Sequence, residues 1–356
     1  MGILEDLRWI DIPSDNLYII SGIIDFSRPS DHWYKEFQKN KSLIRSSKYI
    51  NNLKILISQG TKIILDCTME GSLIKDDIRE YLGILTNHKV DFNSIFLAFN
   101  NSYLSSINTT TYSGYNVKCV YFPHFFISTL FEFKKHIKPV ITNSPSYDFL
   151  CLNRRMRIGK YKLLKELKER NLLEKTLYTY VKTLIESDVD GTVSKNQLKG
   201  DKEYGEHISD DDEHFLYWLN TDWYSNIKVD IVNETYYLED DQCHLTEKIF
   251  KPMMLEKPFV VNSTKGYLKE LKRLGFKTFS DVIDESYDNE TDFVKRTKAV
   301  LKNLQEFCKI PLSDCKKIYD DNAEILDYNY NHLINTKWDF SIKSRIEKYI
   351  TKESLQ

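Results

Sequence analysis

The stretch KVDIVNETYYLEDDQCHLTEKIFKPMMLEKPFVVN, residues 228–262, decides the fold. A β-branched run (KVDIVNETYY) precedes a helix-compatible run (TEKIFKPMMLE), and a short apolar run, PFVVN (258–262), follows. Strand, helix and strand in that order form a βαβ unit, which implies parallel strands. Within it, Thr246 is a good N-cap, and Glu247 lies in the first turn, where the helix dipole favours an anion. Lys248 does not fit that pattern. A cation at a helix N-terminus opposes the dipole, as it would if it served an anionic ligand. A diphosphate at this point would be attracted by free backbone N–H groups and by the ammonium. Pro252 removes the bond that would go to the carbonyl of Lys248, which keeps the first turn irregular. The alternative is an ordinary capped helix.

Working outward, FLCLNRRMRIGKYKLLKEL (149–167) gives a second signal. A buried strand ends and Asn153-Arg154-Arg155, Arg157 and Lys160 follow at once, then an amphipathic helix over 157–173. Four cations at the carboxyl end of a strand repel each other unless an anion neutralises them, and arginine suits bidentate phosphate contact. A solvated basic helix start is the alternative. Together the two segments make a diphosphate clamp within one α/β unit. The first part of the chain has the same rhythm, with β-branched runs LYIISGII (17–24), KIILD (62–66), SIFLAF (94–99) and VKCVYF (117–122) between polar stretches. Strands alternating with helices imply a parallel sheet covered on both faces. The segment 134–148, with its two prolines, reads as an interdomain linker. Residues 186–213 are polar and acidic and read as a long surface loop. The expected organisation is an acceptor domain over 1–140, a donor domain over 146–330 and a helical segment over 331–356.

Bulk properties set outer limits. With 356 residues there is room for two ordinary domains. A net charge of −2 argues against a protein that coats nucleic acid non-specifically. The six cysteines stand singly, with no zinc-type spacing, which suggests buried thiols in a reducing compartment. The start MGILEDLRW has no signal-peptide core, and Asp6 stands where a myristoylation signal needs Ser or Thr. Apolar runs are too short to span a bilayer. The expectation is a cytoplasmic protein with no membrane insertion.

These motifs resemble glycosyltransferases of the two-Rossmann (GT-B) type, as found in phages and large viruses. The run Thr246-Glu247-Lys248, then Lys251-Pro252, then Lys257-Pro258-Phe259, is similar to the donor motif of fucosyltransferases and exostosin-like enzymes. The Asn153-Arg154-Arg155 segment looks like the first strand-loop-helix of the same donor domain. The resemblance covers roughly residues 145–285. It implies an α/β fold of two Rossmann-like domains facing across a cleft, with C-terminal helices packing back. It also implies a nucleoside-diphosphate sugar, UDP- or GDP-linked, as donor. Glu247 would hold the ribose, and Lys248 with Arg154 or Arg155 would bind the diphosphate, with Asn153, Lys160 and Thr246 in the same donor site.

Transfer also needs a base that takes the acceptor's proton. Glu70, then Asp66, in KIILDCTMEGS (62–72), and Asp25, in GIIDFSRPSDHWY (22–34), are carboxylates at or just past strand ends. Arg28, His32 and His124 are further polar groups at such positions. Asp188-Val189-Asp190 has the form of a metal-binding DxD but lies in the acidic loop, and Asp210-Asp211-Asp212-Glu213 either repels anions or caps a helix starting near Glu213. No metal is required, because basic side chains can stabilise the leaving diphosphate. The acceptor is a hydroxymethylated base in phage DNA, flipped out of the stack, or a surface glycan or protein. Lys134-Lys135 and Lys269, Lys272 and Arg273 permit nucleic-acid contact. The alternative is a non-catalytic nucleotide- or nucleic-acid-binding protein using the same cations.

Overall fold

A computed structural model of the chain describes residues 17–20, 45–67, 76–99, 108–112, 115–121, 145–153, 158–178, 221–234 and 243–336. The chain divides into two compact units, Met1–Ile127 with Trp338–Gln356, and Ser128–Lys337. Both are α/β, with sheets of largely parallel strands compatible with a Rossmann-like fold.

The first unit contains β1 (Leu17–Ile20), α1 (Ser47–Ser58), β2 (Lys62–Cys67), α2 (Asp76–Asn87), β3 (Ile95–Phe99), β4 (Asn108–Tyr112) and β5 (Tyr115–Tyr121). Ser46 starts α1: its backbone is extended and its hydroxyl accepts from the Tyr49 amide at 3.3 Å. Side chains two apart on a strand share a face. Ile63 and Leu65, Ile95, Leu97 and Phe99, and Val117 and Cys119 accordingly join Ile50 and Leu53 of α1 and Tyr81, Leu82 and Leu85 of α2 in one core. Ile64, Phe96 and Ala98, on the other face, are equally buried, which is why IFLAF reads as a continuous apolar run. The strands lie in the order β1-β2-β3-β5-β4, and all neighbours are parallel except β4 and β5. The expected parallel pairing holds for β1, β2, β3 and β5, and β4 adds an antiparallel edge. Its sequence, NTTTY, shows no apolar alternation, but β-branched threonines suit a strand.

The second unit contains β6 (Tyr147–Cys151), α3 (Ile158–Glu169), β7 (Thr176–Tyr178), α4 (Thr221–Ser225), β8 (Ile227–Asn233), α5 (Glu247–Met254), β9 (Phe259–Asn262), α6 (Tyr267–Arg273), α7 (Phe293–Phe307), α8 (Cys315–Asp321) and α9 (Ala323–Asn335). Its described strands are all parallel, in the order β7-β6-β8-β9. The β6→β7 connection moves one way along the sheet and β8→β9 the other. Right-handed crossovers therefore put α3 and α5 on opposite faces. Helix α7 packs against β9 and α3, and α9 packs against α5, so helices cover both faces. The reversal between β6 and β8 is a topological switch point, and in such sheets ligands bind at the carboxyl ends there.

The amino end of this sheet is held by buried polar contacts. All of β8 is buried, yet it carries Lys228, which is paired with Asp148 of β6. Lys228 Nζ also donates to the Phe307 carbonyl at 3.1 Å and to that of Ile310, satisfying oxygens at the C-terminus of α7. Tyr319 of α8 donates to the Ile227 carbonyl at 2.6 Å. Helix α5 runs through Pro252 and ends with Glu256 in the left-handed region (φ 52°), with Lys257 N–H bonded to the Pro252 carbonyl at 2.9 Å. Helix α9 crosses residue 330, where the sequence suggested a boundary, and buries Leu326 and Leu333. Among the described residues no helix is long and apolar enough to cross a membrane. Five cysteines there are free, four of them buried.

Candidate functional site

Strands β8 and β9 end in asparagine, at Asn233 and Asn262, and Asn153 follows the end of β6 by two residues. Parallel register aligns Asn233 with Asn262, and Leu150 with Asp230, which sets Asn153 beside Asn233. All three side chains are buried and form a chain of amides. Asn262 Nδ2 donates to Asn233 Oδ1 at 2.9 Å, and Asn233 Nδ2 donates to Asn153 Oδ1 at 3.0 Å. Thr297 of α7 donates to Asn262 Oδ1 at 3.2 Å, and Asn153 Nδ2 donates to the Cys151 carbonyl at 3.4 Å. Buried amides are costly without partners, so this chain fixes the carboxyl edge of the sheet at the switch point.

The next residue after β8 is the hub of a second network. Glu234 is buried and its amide bonds to the Asn262 carbonyl at 3.0 Å. Its carboxylate accepts from Thr246 Oγ1 at 2.9 Å, from the Thr246 amide at 3.3 Å and from Tyr267 Oη at 2.8 Å. Thr246 caps α5, its hydroxyl accepting from the Lys248 amide at 3.3 Å and from Lys248 Nζ at 2.8 Å. Lys248 Nζ also lies 3.4 Å from Glu234 Oε2 and 3.3 Å from Glu247 Oε1. The other oxygen of Glu247, Oε2, is buried and has no hydrogen-bond partner.

Charge and burial compete throughout. Burial pushes the Glu247 carboxyl up, but the Lys248 and Lys251 ammoniums and local hydrogen bonds outweigh it and hold it below its usual value. For Lys248, burial favours the neutral amine, but Glu234 and Glu247 outweigh it and raise its value. One turn further on, the Lys251 ammonium has no hydrogen bond or ion pair among the described residues, and burial brings it down to about 8 against the pull of Glu247. Beneath the helix, burial raises Asp230 to about 7, opposed by a hydrogen bond from Tyr224 and by Lys251. Perturbed groups collected near a switch point make this edge the candidate site.

The sequence-derived donor residues separate under this geometry. Thr246, Glu247 and Lys248 come together as expected at the start of α5. The cation against the dipole is, however, explained first by the chain itself, because Glu234 and Glu247 supply the anions that Lys248 faces. Pro252 does not make α5 irregular; the helix is continuous from Glu247 to Met254. Asn153 is at the expected strand end, but its amide serves the Asn233 and Cys151 contacts. Lys160, in the first turn of α3, is buried. Arg154, Arg155 and Arg157 lie outside the described residues, as do Asp25, Arg28, His32, Glu70, His124, Asp188, Asp190, Asp210, Asp211, Asp212 and Glu213. Asp66 is in β2 at its carboxyl end, in register with Ala98 of β3.

Glu234, Tyr267, Asn233 and Asn262 were not singled out in the sequence. A usable signal existed: three apolar runs, FLCLN, VDIVN and FVVN, each closing on asparagine, one followed by glutamate. Among the described residues no group of three or more His, Cys, Asp or Glu side chains is arranged to hold a metal ion. No protein-family model, curated protein or solved structure matches the chain.

Proposed function

We propose that the chain is a glycosyltransferase that moves a sugar from a nucleoside-diphosphate sugar to an acceptor hydroxyl. The observation that carries this reading is the orphaned Glu247 Oε2, buried at the start of α5 beside Lys248 at the switch-point edge of the sheet. A buried carboxylate oxygen without a donor costs about 1–3 kcal/mol or more, and a ribose hydroxyl supplies the missing donor. Lys248, of which 17% of the side chain is exposed, faces the diphosphate once the ligand competes with Glu234 and Glu247. Lys251 adds a second, unpaired ammonium on the same helix. The resemblance supplies the rest: Arg154 or Arg155 on the diphosphate, two domains facing across a cleft, and a carboxylate among Glu70, Asp66 and Asp25 as base. The acceptor is a hydroxymethylated base of phage DNA or a hydroxyl of a glycan or protein. No metal is needed, because cationic side chains carry the leaving diphosphate.

Donor turnover tests the reading. Purified protein incubated with UDP- and GDP-sugars without acceptor, and assayed by chromatography, should slowly release the nucleoside diphosphate from one of them. Binding without any release would favour a non-catalytic nucleotide-binding protein instead.

A further inference from the structure

A second orphaned oxygen lies at the same edge. Thr264 follows β9 by two residues and is buried, and its hydroxyl has no hydrogen-bond partner. Its position is fixed on both sides. The buried Arg296 donates from Nε to the Ser263 carbonyl at 2.8 Å, and Tyr267 reaches Glu234 at 2.8 Å. Through Glu234 this loop joins the network that contains Thr246, Lys248 and Glu247.

The chemistry of the loop argues for a neutral polar ligand group. The amides of Leu268 and Lys269, at the start of α6, already bond to the Asp288 carboxylate at 2.9 and 3.0 Å, and the Gly266 amide bonds to the Asp288 carbonyl at 2.8 Å. With an anion seated on those amides, a phosphate would meet repulsion. A sugar hydroxyl would not, and it can both donate to and accept from a threonine hydroxyl.

We propose that Thr264 is a specificity-determining residue that binds a hydroxyl of the sugar to be transferred. This rests on the donor-site reading of the same edge. The test uses full-length Thr264→Val, a near-isosteric change, with Thr264→Ser and Thr278→Val for comparison. Thr278 has the other orphaned hydroxyl, but it precedes Phe279, whose ring packs 5.0 Å from Phe259 at the amino end of β9. Probes are UDP, GDP, UDP-glucose, UDP-N-acetylglucosamine, GDP-mannose and GDP-fucose, read by calorimetry and thermal shift.

Removing an unpaired buried hydroxyl leaves the unliganded protein as stable or more stable, so both valine variants should melt at or above the wild-type temperature. Thr264→Val should weaken the bound nucleotide sugar about three- to tenfold while leaving its nucleoside diphosphate unchanged. Thr264→Ser should restore the affinity, and Thr278→Val should not alter it. Equal weakening of both probes overturns the sugar assignment and moves the contact to the diphosphate, with the donor site intact. Unchanged affinity for all probes that bind overturns the proposal, the hydroxyl then being served by internal water. If wild type binds none of the six, the donor-site reading fails and this proposal with it.

Discussion

Replacing Thr246 by valine removes one hydroxyl and keeps the shape of the side chain. The hydroxyl has three roles: it accepts from the Lys248 amide at 3.3 Å, accepts from Lys248 Nζ at 2.8 Å and donates to the Glu234 carboxylate at 2.9 Å. Loss of an N-cap costs about 1 kcal/mol. Loss of a hydrogen bond to a buried charged group costs about 1.5–3 kcal/mol. Glu234 keeps Tyr267, Lys248 and the Thr246 amide, so the lower part of that range applies and the sum is about 3 kcal/mol. Urea denaturation of the full chain, followed by the fluorescence of a variant whose other four tryptophans are replaced by phenylalanine, reads this through Trp223, which lies in α4 beside β8. Thr246→Ser keeps all three bonds and should cost under ~1 kcal/mol. A valine variant within ~1 kcal/mol of wild type, or a serine variant as damaged as the valine one, would refute the network described around Glu234.

Asn233→Leu keeps the volume but breaks the amide chain in its middle, removing the bonds to Asn153 and Asn262. The expected loss is about 2–4 kcal/mol of stability by thermal or urea denaturation; a neutral result would show that the chain holds nothing. Asp230 predicts a pH dependence. Its folded value of about 7 lies above the ordinary aspartate value, so the folded state keeps a proton that the unfolded state loses. The stability it confers is full below about pH 4 and is lost as pH rises to about 7. The stability advantage of Asp230→Asn over wild type should therefore grow across that window and then level off. A difference that stays flat with pH, measured by urea denaturation at several pH values, would contradict the assignment.

Much of the second unit was legible because it follows simple patterns. The βαβ order over 228–262 gave parallel strands, and Thr246 and Glu247 gave the start of α5 within a residue. The short strand β7 escaped notice because TLY is too brief to show a period. Edge strand β4 was hidden because NTTTY is polar and carries no alternation. In the site, local rules found the residues that break local expectations, above all Lys248 against the dipole. They could not find its partner, since Glu234 is fourteen residues away and meets Lys248 only through the crossover from β8 to α5. The same holds for Tyr267, which reaches Glu234 from beyond the end of β9. Partners contributed by neighbouring strands are invisible to any window along the chain, although the repeated terminal asparagines marked the shared edge.

In the proposed donor site, the edge formed by β6, β8 and β9 binds a nucleoside diphosphate with Lys248 facing it. The most direct measurement is a thermal-shift panel of UDP, GDP and their sugars on wild type and on Lys248→Ala, each referred to its own unliganded melting temperature. A ligand that binds only the native state raises that temperature. The proposed donor site predicts a shift with UDP or GDP in wild type that falls by more than about half in the variant, as expected when a charge-assisted contact is lost. No shift with any diphosphate, or one that Lys248→Ala leaves intact, would contradict it.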